Sequence, residues 1–365
     1  MKRREFIKKT SFSLAAAGLT AAAPSGGATA AKVKWRLASS FPKTLDTMYG
    51  GSAMLSKRVG ELTDGQFEIK VLVGEQSVAI PNFIDLIQKN TVDCIHTACF
   101  YFHNTNKAFS IDTGIPFGLS ARQLNAWYGD GQGLTLAREF FAKFNAVNFP
   151  GGNTGTQMGG WSRKEIKSLE DLKGFRIRIV GFGAEILSTL GVVPVAVPAG
   201  EIYAALNQGN LDAAEWVGPH DDERLALSKI AKFYYYPGWW EPGTQLSFLV
   251  NKDQWNKLPR PYQAAFEVAT AEVNLQMMAA YDAKNPPALK RLVESGAEIR
   301  RFPDEVLKAA YEAAQKIYAD ESAKNPDFKK LYDSMVAFQQ LSDHWMGLAD
   351  GTLANFMQAQ MRVKK

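Results

Sequence analysis

The fold is indicated most clearly by residues 33–73, which read VKWRLASSFPKTLDTMYGGSAMLSKRVGELTDGQFEIKVLV. Residues 33–39 and 66–73 alternate in polarity, which is typical of strands, whereas residues 48–63 carry apolar side chains at helical spacing. A helix beginning at Pro81 and a strand at 92–98 continue the pattern. Strands and helices that alternate in this way predict a parallel sheet covered by helices, and therefore an α/β fold.

A second α/β unit follows the glycine-rich stretch 150–155, which we interpret as a crossing or hinge region. The predicted strands and helices of this unit lie at 175–180, 183–190, 194–197, 202–208 and 212–217. Between the two units, residues 122–144 are predicted to form one long helix. The chain is therefore expected to fold into two α/β lobes with a cleft between them.

The N-terminal segment has the features of an export signal. A basic start is followed by a short apolar run and by small residues at 28–30, which suit a signal-peptide cleavage site. The pair Arg3-Arg4, followed by Phe6, Ile7 and Lys8, resembles a twin-arginine signal, and an ordinary Sec signal is the alternative. Removal of this segment would leave a soluble protein of the bacterial periplasm.

Charge is concentrated in the same segment. Residues 1–31 contain five basic residues and one acidic residue, so most of the formal charge of +5 belongs to the predicted signal. The rest of the chain is nearly neutral, which gives no support for nucleic-acid binding.

The predicted organisation has four parts. Residues 1–31 form the signal peptide, residues 32–150 the first lobe together with later crossing segments, and residues 151–250 mainly the second lobe. Residues 251–365 form a helical C-terminal region with an apolar stripe of residues three or four apart, which are Phe328, Leu331, Met335, Phe338, Leu341, Trp345 and Leu348. By its spacing the stripe favours packing against a lobe, and a dimer contact is the alternative.

Nothing in the sequence forms a recognisable catalytic motif. Cys94 and Cys99 are expected on opposite faces of a strand, where they cannot form a good disulfide. Cys94 and His96 share a face, but two ligands are weak evidence for a metal site, so burial in the core is favoured. Two lobes without catalytic residues indicate a protein that closes on a ligand rather than an enzyme.

Three charged residues are candidates for the cleft. Arg178 lies near the end of an otherwise apolar predicted strand, and its guanidinium matches a carboxylate; a solvated edge or an ion pair is the alternative, and Arg176 competes for the role. Glu215 and Glu241 lie among small and aromatic residues, where a carboxylate is costly to bury unless it is paired or binds a metal. Together they suit a hard cation, although each alone is more often a surface group or a salt-bridge partner.

Three short segments resemble the solute-binding subunits of TRAP transporters, the DctP family. They are residues 169–172, LEDL; residues 174–178, GFRIR; and residues 207–215, NQGNLDAAE. In that family a Gly-x-Lys-Ile-Arg motif supplies the arginine that binds the substrate carboxylate; the position corresponds to Arg178, with Arg176 in place of the usual lysine. The resemblance covers nearly all of the mature chain and implies a two-lobed periplasmic-binding-protein fold with a hinged cleft and long C-terminal helices.

Within the family, Gln157, Glu215-Trp216 and residues 236–243 are most similar to the TakP subgroup, which binds 2-oxo acids such as pyruvate with sodium. The resemblance implies that Gln157 and Arg178 contact the substrate, with Asn153 as a further contact, and that Phe100 and Tyr101 form a wall of the cleft. It also implies that the cation is bound by Glu215, the Trp216 carbonyl, Glu241 and Gln157.

The implied function is capture of a small 2-oxo monocarboxylate with a bound Na⁺, or Ca²⁺ as the alternative, and its delivery to the TRAP membrane subunits. Two alternatives remain: a family member for lactate with calcium or for another carboxylate, and a metal-dependent periplasmic enzyme that uses Glu215 and Glu241. The subgroup also dimerises through an exchanged C-terminal helix, which shifts the interpretation of the apolar stripe towards a homodimer contact.

Overall fold

The structure is a computed structural model that describes residues 32–72 and 82–363. The predicted signal peptide, and the predicted helix start at Pro81, lie outside the described residues. The strands are β1 (Val33–Ser39), β2 (Phe67–Leu72), β3 (Cys94–Thr97), β4 (Ala146–Asn153), β5 (Trp161–Ser162), β6 (Arg176–Arg178), β7 (Val193–Val195), β8 (Ala213–Ala214), β9 (Phe233–Tyr236), β10 (Gln245–Asn251) and β11 (Glu298–Arg301). The α-helices are α1 (Met48–Leu62), α2 (Phe83–Gln88), α3 (Phe109–Thr113), α4 (Ala121–Gly129), α5 (Gly133–Ala142), α6 (Gly181–Thr189), α7 (Ile202–Asn207), α8 (Pro219–Arg224), α9 (Lys252–Lys257), α10 (Arg260–Glu294), α11 (Asp304–Lys324), α12 (Pro326–Met346) and α13 (Thr352–Val363).

Two sheets form the centres of two lobes, which confirms the α/β fold class. The first sheet has the strand order β2-β1-β3-β10-β4, and β1 pairs in parallel with β2 and β3. The second sheet has the order β11-β9-β5-β8-β6-β7. We call the parts built on these sheets the first lobe and the second lobe.

The chain crosses between the lobes more than once. Strand β10 returns to the first sheet, where it runs antiparallel to β3 and β4, and β11 joins the second sheet beside β9. The lobe boundaries near residues 150 and 250 remain predictions, but these two strands show that each lobe is assembled from distant parts of the chain.

The prediction of one long helix at 122–144 is wrong, because two helices, α4 and α5, occupy this region. Residues 130–132 separate them, and Gly131 lies so close to the end of α4 that a Cβ atom there would be 2.6 Å from the Trp127 carbonyl oxygen. The apolar periodicity continues through both helices, so periodicity alone did not reveal the break.

The apolar run 92–102 is not one strand either. Strand β3 ends at Thr97, and Cys99–Phe102 form a short 3-10 helix in which Phe100 is partly exposed. Cys94 and Cys99 are both buried and free, so the expected absence of a disulfide between them agrees with the structure. The expected reason was wrong, because Cys99 does not belong to the strand.

Helix α10 spans both lobes. It packs against α1 and β4 of the first lobe and against α8 of the second. Near its middle, Asn274 accepts a hydrogen bond from the Gly152 backbone N–H (3.2 Å), and farther along the Tyr281 hydroxyl donates to Asp221 of α8 (2.7 Å). No helix in the described parts of the chain has both the length and the hydrophobicity of a membrane span.

Two charge clusters link the lobes at the edges of the cleft. In the first, Asp46, which follows β1, accepts hydrogen bonds from His220 (2.8 Å) and Lys284 (2.9 Å) and pairs with Arg224 (3.2 Å). Burial would raise the pKa of Asp46, but hydrogen bonds from Lys284 and His220 outweigh it and hold the pKa at about 2. We call this group the Asp46 cluster.

The second is the Glu185 cluster. Glu185 of α6 pairs with His103 (3.0 Å) and Lys107 (2.7 Å), both of which follow β3 in the first lobe. Burial acts to raise the pKa of Glu185, and hydrogen bonds from His103 and Lys107 lower it to about 2. In each cluster, therefore, a carboxylate of one lobe pairs with lysine, arginine or histidine side chains of the other lobe or of a helix that packs against it.

The C-terminal apolar stripe divides into two parts. Helix α12 packs against α3, α4 and α5, and it buries Phe328, Leu331 and Met335. Farther along, Leu341 and Trp345 are 78% and 61% exposed. The first part of the stripe is therefore ordinary packing, whereas the second is an apolar face without a cover among the described residues.

Candidate functional site

A small cavity lies between the lobes, and most of the predicted site residues line it. Its volume is about 20 Å³. The lining residues are Phe41, Met48, Ala98, Phe100, Tyr101, Gln157, Arg178, Glu215, Trp216, Val217, Glu241, Thr244 and Leu246. Segments far apart in sequence thus meet at one place, as the predicted cleft requires.

Arg178 is the single arginine that lines this cavity. It ends β6, is 4% exposed, and donates from Nη1 to the Glu215 side chain (2.9 Å) and to the Glu215 carbonyl (3.0 Å). Its guanidinium also lies over the Trp216 ring at 4.9 Å, and Nε donates to the Val197 carbonyl (3.2 Å). These contacts fix the plane of the guanidinium before any ligand binds, which favours recognition of a carboxylate.

The competing residue, Arg176, points elsewhere. Its Nη2 donates to the Gly209 carbonyl (2.8 Å) and its Nε to Asp212 (3.3 Å), and its side chain is 43% exposed. Arg176 therefore holds the loop before β8, whereas Arg178 reaches the cavity.

Glu215 and Glu241 form a pair of neighbouring carboxylates in the cavity. Burial and the charge of Glu241 raise the pKa of Glu215 well above its ordinary value, and Arg178 opposes this. Burial raises the pKa of Glu241 to about 7, against a hydrogen bond from Thr244 that lowers it. Two carboxylates that disfavour each other's ionisation in this way are stabilised by a cation placed between them.

Gln157 directs an unpaired oxygen into the same site. Its Nε2 donates to Thr154 (3.1 Å) and to Thr244 (2.9 Å), so the orientation of the amide is fixed. Its Oε1 is buried and has no hydrogen-bond partner among the described residues. A buried acceptor without a donor is costly, and a cation would satisfy it.

Backbone hydrogen bonds bring the three site-bearing segments together. The Gln157 N–H donates to the Glu241 carbonyl (3.1 Å), and the Gly238 N–H donates to the Gln157 carbonyl (3.1 Å). A Cβ atom at Gly238 would lie 2.4 Å from that carbonyl oxygen, so the close approach requires glycine. In addition, the Met158 N–H donates to the Val217 carbonyl (3.0 Å), which links the segment to the residues after β8.

A buried carboxylate, Asp222, supports the segment that carries Glu215 and Trp216. It accepts hydrogen bonds from Tyr234 (2.7 Å), from the Trp161 indole (3.0 Å) and from the Val217 N–H (3.4 Å). Burial raises the pKa of Asp222 to about 7, although the hydrogen bond from Tyr234 opposes this. Asp222 does not line the cavity; it acts on the site through the Val217 backbone and through its charge, which contributes to the raised pKa of Glu215.

Phe100 and Tyr101 line the cavity, in agreement with the prediction that they form a wall of the cleft. The 3-10 helix that replaces the end of the predicted strand presents both rings, whose centroids are 4.8 Å apart. Burial raises the pKa of Tyr101 to about 12, and the nearby charge of Arg178 acts in the opposite direction. Tyr101 therefore enters the site as a neutral hydroxyl.

Asn153 is the one predicted site residue that the structure places elsewhere. It ends β4, and its Oδ1 accepts a hydrogen bond from the Gly155 N–H (2.9 Å). Its Nδ2 points to the Gly243 carbonyl (3.5 Å), and the residue is not part of the cavity lining. Both ends of this amide hold the crossing segments together, and the ligand contact of Asn153 stays a prediction.

Six lining residues were not found from the sequence: Phe41, Met48, Ala98, Val217, Thr244 and Leu246. Of these only Thr244 had a local signal, since it follows Glu241 by three residues. The others are ordinary apolar residues, and only the meeting of the lobes gives them a role.

The donor set fits a hard cation. Two carboxylates and the free amide oxygen of Gln157 belong to one cavity, and Trp216, whose carbonyl is the fourth predicted ligand, also lines it. Oxygen ligands of this kind suit sodium or calcium, and the cavity lining contains no histidine or cysteine. When bound, the cation would supply positive charge to neutralise the carboxylates and the ligand.

The pKa of Glu241 leads to an expected pH dependence of the ligand-free protein. Because the folded-state value is about 7 and the ordinary value is 4.5, the folded state binds more protons than the unfolded state between these values. The free energy of unfolding should therefore fall as pH rises through this window, by up to about 1.4 kcal/mol per pH unit from this group. Melting curves in a chelator test this, and a stability that rises with pH over the same range would contradict it.

Two α/β lobes closed over a buried arginine, two carboxylates and an aromatic wall define the class of two-lobed solute-binding proteins. The chain matches the family model "Bacterial extracellular solute-binding protein, family 7" (DctP) over residues 38–325. It therefore belongs to the DctP family of TRAP-transporter solute-binding proteins, whose members are periplasmic receptors that work with TRAP membrane subunits.

Several relatives are similar over almost their whole length. A monocarboxylate 2-oxoacid-binding periplasmic protein from Nostoc sp. (strain PCC 7120) is 42% identical over 360 residues, covering 98% of this chain and 99% of the relative. A TRAP transporter solute-binding protein from Bordetella bronchiseptica RB50, a mixed occupancy dimer with copurified calcium and picolinate, is 46% identical with a TM-score of 0.89, covering 92% of this chain and 100% of that one. A protein from Pseudoalteromonas atlantica T6c with bound sodium and pyruvate is 34% identical with a TM-score of 0.86, covering 89% and 99%.

Proposed function

We propose that this protein captures a small 2-oxo monocarboxylate such as pyruvate, together with a cation, and delivers it to the TRAP membrane subunits. The observation that supports this best is the convergence of Arg178, Glu215, Glu241 and the unpaired Gln157 Oε1 on one cavity. Arg178 binds the carboxylate of the ligand, and Gln157 contacts both the ligand and the cation. Closure excludes water and strengthens these contacts.

The ligands of the relatives share a chelating group. Pyruvate has a carbonyl oxygen next to its carboxylate, and picolinate has a ring nitrogen in the equivalent position. Each can hold a cation with two atoms at once, which a simple carboxylate cannot do as well. A 2-oxo acid therefore suits the proposed site better than a C4-dicarboxylate, because Arg178 is the only cationic side chain in the lining.

The two candidate cations differ in how completely they neutralise the charges in the cavity. Arg178, the two glutamates and a monocarboxylate ligand sum to a charge of about −2 when both glutamates are ionised. Calcium would neutralise this charge, whereas sodium would leave one negative charge or one proton on the glutamates. We propose sodium, as in one pyruvate-bound relative; a second pyruvate-bound relative contains calcium, which is the alternative.

Binding can be tested by calorimetry with pyruvate in sodium, in calcium and in a chelator, with lactate, succinate and sialic acid as competitors. We expect pyruvate to bind at one site per chain in the presence of a cation and more weakly in the chelator. Tighter binding of lactate with calcium, or of a dicarboxylate, would replace the 2-oxo acid by one of the alternatives. Turnover of pyruvate, rather than stoichiometric retention, would support the enzyme alternative.

We also propose export through the twin-arginine pathway, on the basis of Arg3-Arg4 and the residues that follow. Replacing both arginines with lysine keeps the basic charge and removes the twin-arginine pair. The variant should remain in the cytoplasm of a bacterial host, as fractionation would show. Normal export of this variant would support the Sec alternative instead.

We further propose that the chain forms a homodimer through its C-terminal helices. Beyond Phe338 the stripe is exposed, and α13 continues it with Leu353 and Phe356, which are 62% and 60% exposed. A groove of about 590 Å³ beside α11 and α12, lined partly by tyrosines, offers a place for such a helix from a second copy. A run of large exposed apolar side chains along one helix face usually marks an interaction site.

The dimer is tested with Phe356→Glu, which puts a charge on the apolar face of α13. We expect this variant to elute as a monomer in size-exclusion chromatography with light scattering, while it still binds pyruvate. Asn355→Glu places the same charge on the opposite side of α13 and serves as the control. If both variants remain dimers, the contact lies elsewhere.

A further inference from the structure

The two lobes bring different chemistry to the cavity. The charged side chains come from the second lobe and from the crossing segment before β10, namely Arg178, Glu215 and Glu241. Among the described residues, the first lobe contributes apolar and aromatic side chains, which are Phe41, Met48, Ala98, Phe100, Tyr101 and Leu246.

This asymmetry fixes the orientation of a ligand, given the proposed function. A carboxylate and its neighbouring oxygen must face the charged side, so the carbon chain of a 2-oxo acid faces the first lobe. Each further CH₂ group buried there raises the affinity about fourfold, until the cost of parting the walls exceeds this gain. A second carboxylate at this end would be buried against Met48 and Leu246 without a cation.

We propose that the first lobe selects ligands by the length of the carbon chain, and that Ala98 and Met48 set the limit. This inference rests on the proposed function and adds to it a pair of specificity-determining residues. The second lobe recognises the carboxylate and the 2-oxo group that all 2-oxo acids share, and the first lobe limits the length of the carbon chain.

Ala98 is suited to this role because it has the smallest side chain of the wall and a fixed backbone. It lies between β3 and the 3-10 helix with φ −94° and ψ 121°, and its carbonyl accepts the Tyr101 N–H (3.1 Å). It is 2% exposed, so a larger side chain has little solvent to escape into. The extended backbone accepts a β-branched residue without strain, so the substitution changes mainly the volume of the cavity.

Met48 limits the cavity in a different way. It is the first residue of α1 and is 5% exposed. Its unbranched side chain can change rotamer more easily than the aromatic residues around it. We therefore expect Met48 to set a soft limit and Ala98 a hard one.

Chain length acts on closure as well as on contact. The cavity measures about 20 Å³, so every acid of the series must part its close-packed walls, and a longer carbon chain must part them further. A chain that exceeds the available space holds the lobes apart, and the contacts of the Asp46 and Glu185 clusters are then stretched or lost. The affinity for 2-oxo acids with long carbon chains should therefore fall by more than the loss of one apolar contact alone would cause.

The test is calorimetry with pyruvate, 2-oxobutanoate, 2-oxopentanoate and 2-oxohexanoate in the presence of the cation. For Ala98→Val we expect the ratio of the affinity for 2-oxohexanoate to the affinity for pyruvate to fall at least about tenfold relative to the wild type. Met48→Ala should shift the profile towards longer chains. Ala98→Gly, a milder change in the same direction, covers the case in which Met48→Ala does not fold.

The affinity for the cation in the absence of ligand shows whether a substitution affects the charged side of the cavity as well as the apolar side. None of the three substitutions changes a charged residue or a proposed cation ligand, so the affinity for calcium alone should stay within about threefold of wild type in all three variants. If wild-type protein binds no acid of the series, the proposed function fails. If the acids bind but the length profile is the same in wild type and variants, the proposed function stands and this inference is overturned.

Discussion

Arg178→Ala should weaken binding of the 2-oxo acid at least about 100-fold, because removing one partner of a buried ion pair typically costs about 3–5 kcal/mol. The loss has two parts. The ligand carboxylate loses its guanidinium, and Glu215 is left beside Glu241 without the positive charge that now opposes the rise of its pKa. Calorimetry with pyruvate at saturating cation measures the effect.

The chain provides a matched control for this substitution. Arg176 lies two residues earlier on the same strand but pairs with Asp212 outside the cavity. Arg176→Ala should therefore leave the affinity for pyruvate within about threefold of wild type. Arg178→Lys keeps the charge and loses the planar fork, so an intermediate affinity is expected. Equal binding by wild type and Arg178→Ala would remove the basis of the proposed function.

Glu241→Gln is expected to change stability and binding in opposite directions. The amide can still accept the hydrogen bond from Thr244, now 2.8 Å, but it carries no charge against Glu215. At about pH 8 the ligand-free variant should be more stable than wild type by about 1–3 kcal/mol, because a partly buried like-charged pair has been relieved. Cation-dependent binding of pyruvate should be lost or reduced by at least about 100-fold.

The comparison with Glu215→Gln makes this expectation specific. Glu215 is the partner of Arg178, so its neutralisation leaves a buried guanidinium with weaker pairing and should not stabilise the protein. Thermal melts of both variants in a chelator, at about pH 6 and about pH 8, test the difference. A stabilised Glu241→Gln protein with normal binding would show that Glu241 is not a cation ligand.

The residues that would bind the carboxylate and the cation could be predicted from the sequence because each one stands out against its neighbours in the chain. Arg178, Glu215 and Glu241 are charged residues at strand ends or turns among apolar neighbours, where burial without a partner is unfavourable. The strand–helix–strand pattern of the first seventy residues of the mature chain likewise depends on periodicity within each element. The structure confirms the α/β fold class for this reason.

The other side of the site could not be read in the same way. Ala98 and Met48 are ordinary core residues in sequence, and only the closure of one lobe on the other gives them a position beside a ligand. Asn153 is the opposite case. The sequence places a polar side chain next to the hinge, which predicts a ligand contact, but in the structure its Oδ1 accepts a hydrogen bond from the Gly155 N–H. The break at Gly131 was hidden because apolar spacing continues on both sides of it.

The Asp46 and Glu185 clusters are outside the ligand cavity, and this has a thermodynamic consequence. Contacts formed between the lobes on closure, without touching the cargo, add the same free energy to every closed complex. A substitution such as Asp46→Asn would then multiply by one common factor the dissociation constants of all ligands that allow the lobes to close fully, and leave the ranking of those ligands intact. Evolution could thus adjust how long the receptor retains its cargo before docking at the membrane without altering which cargo it prefers.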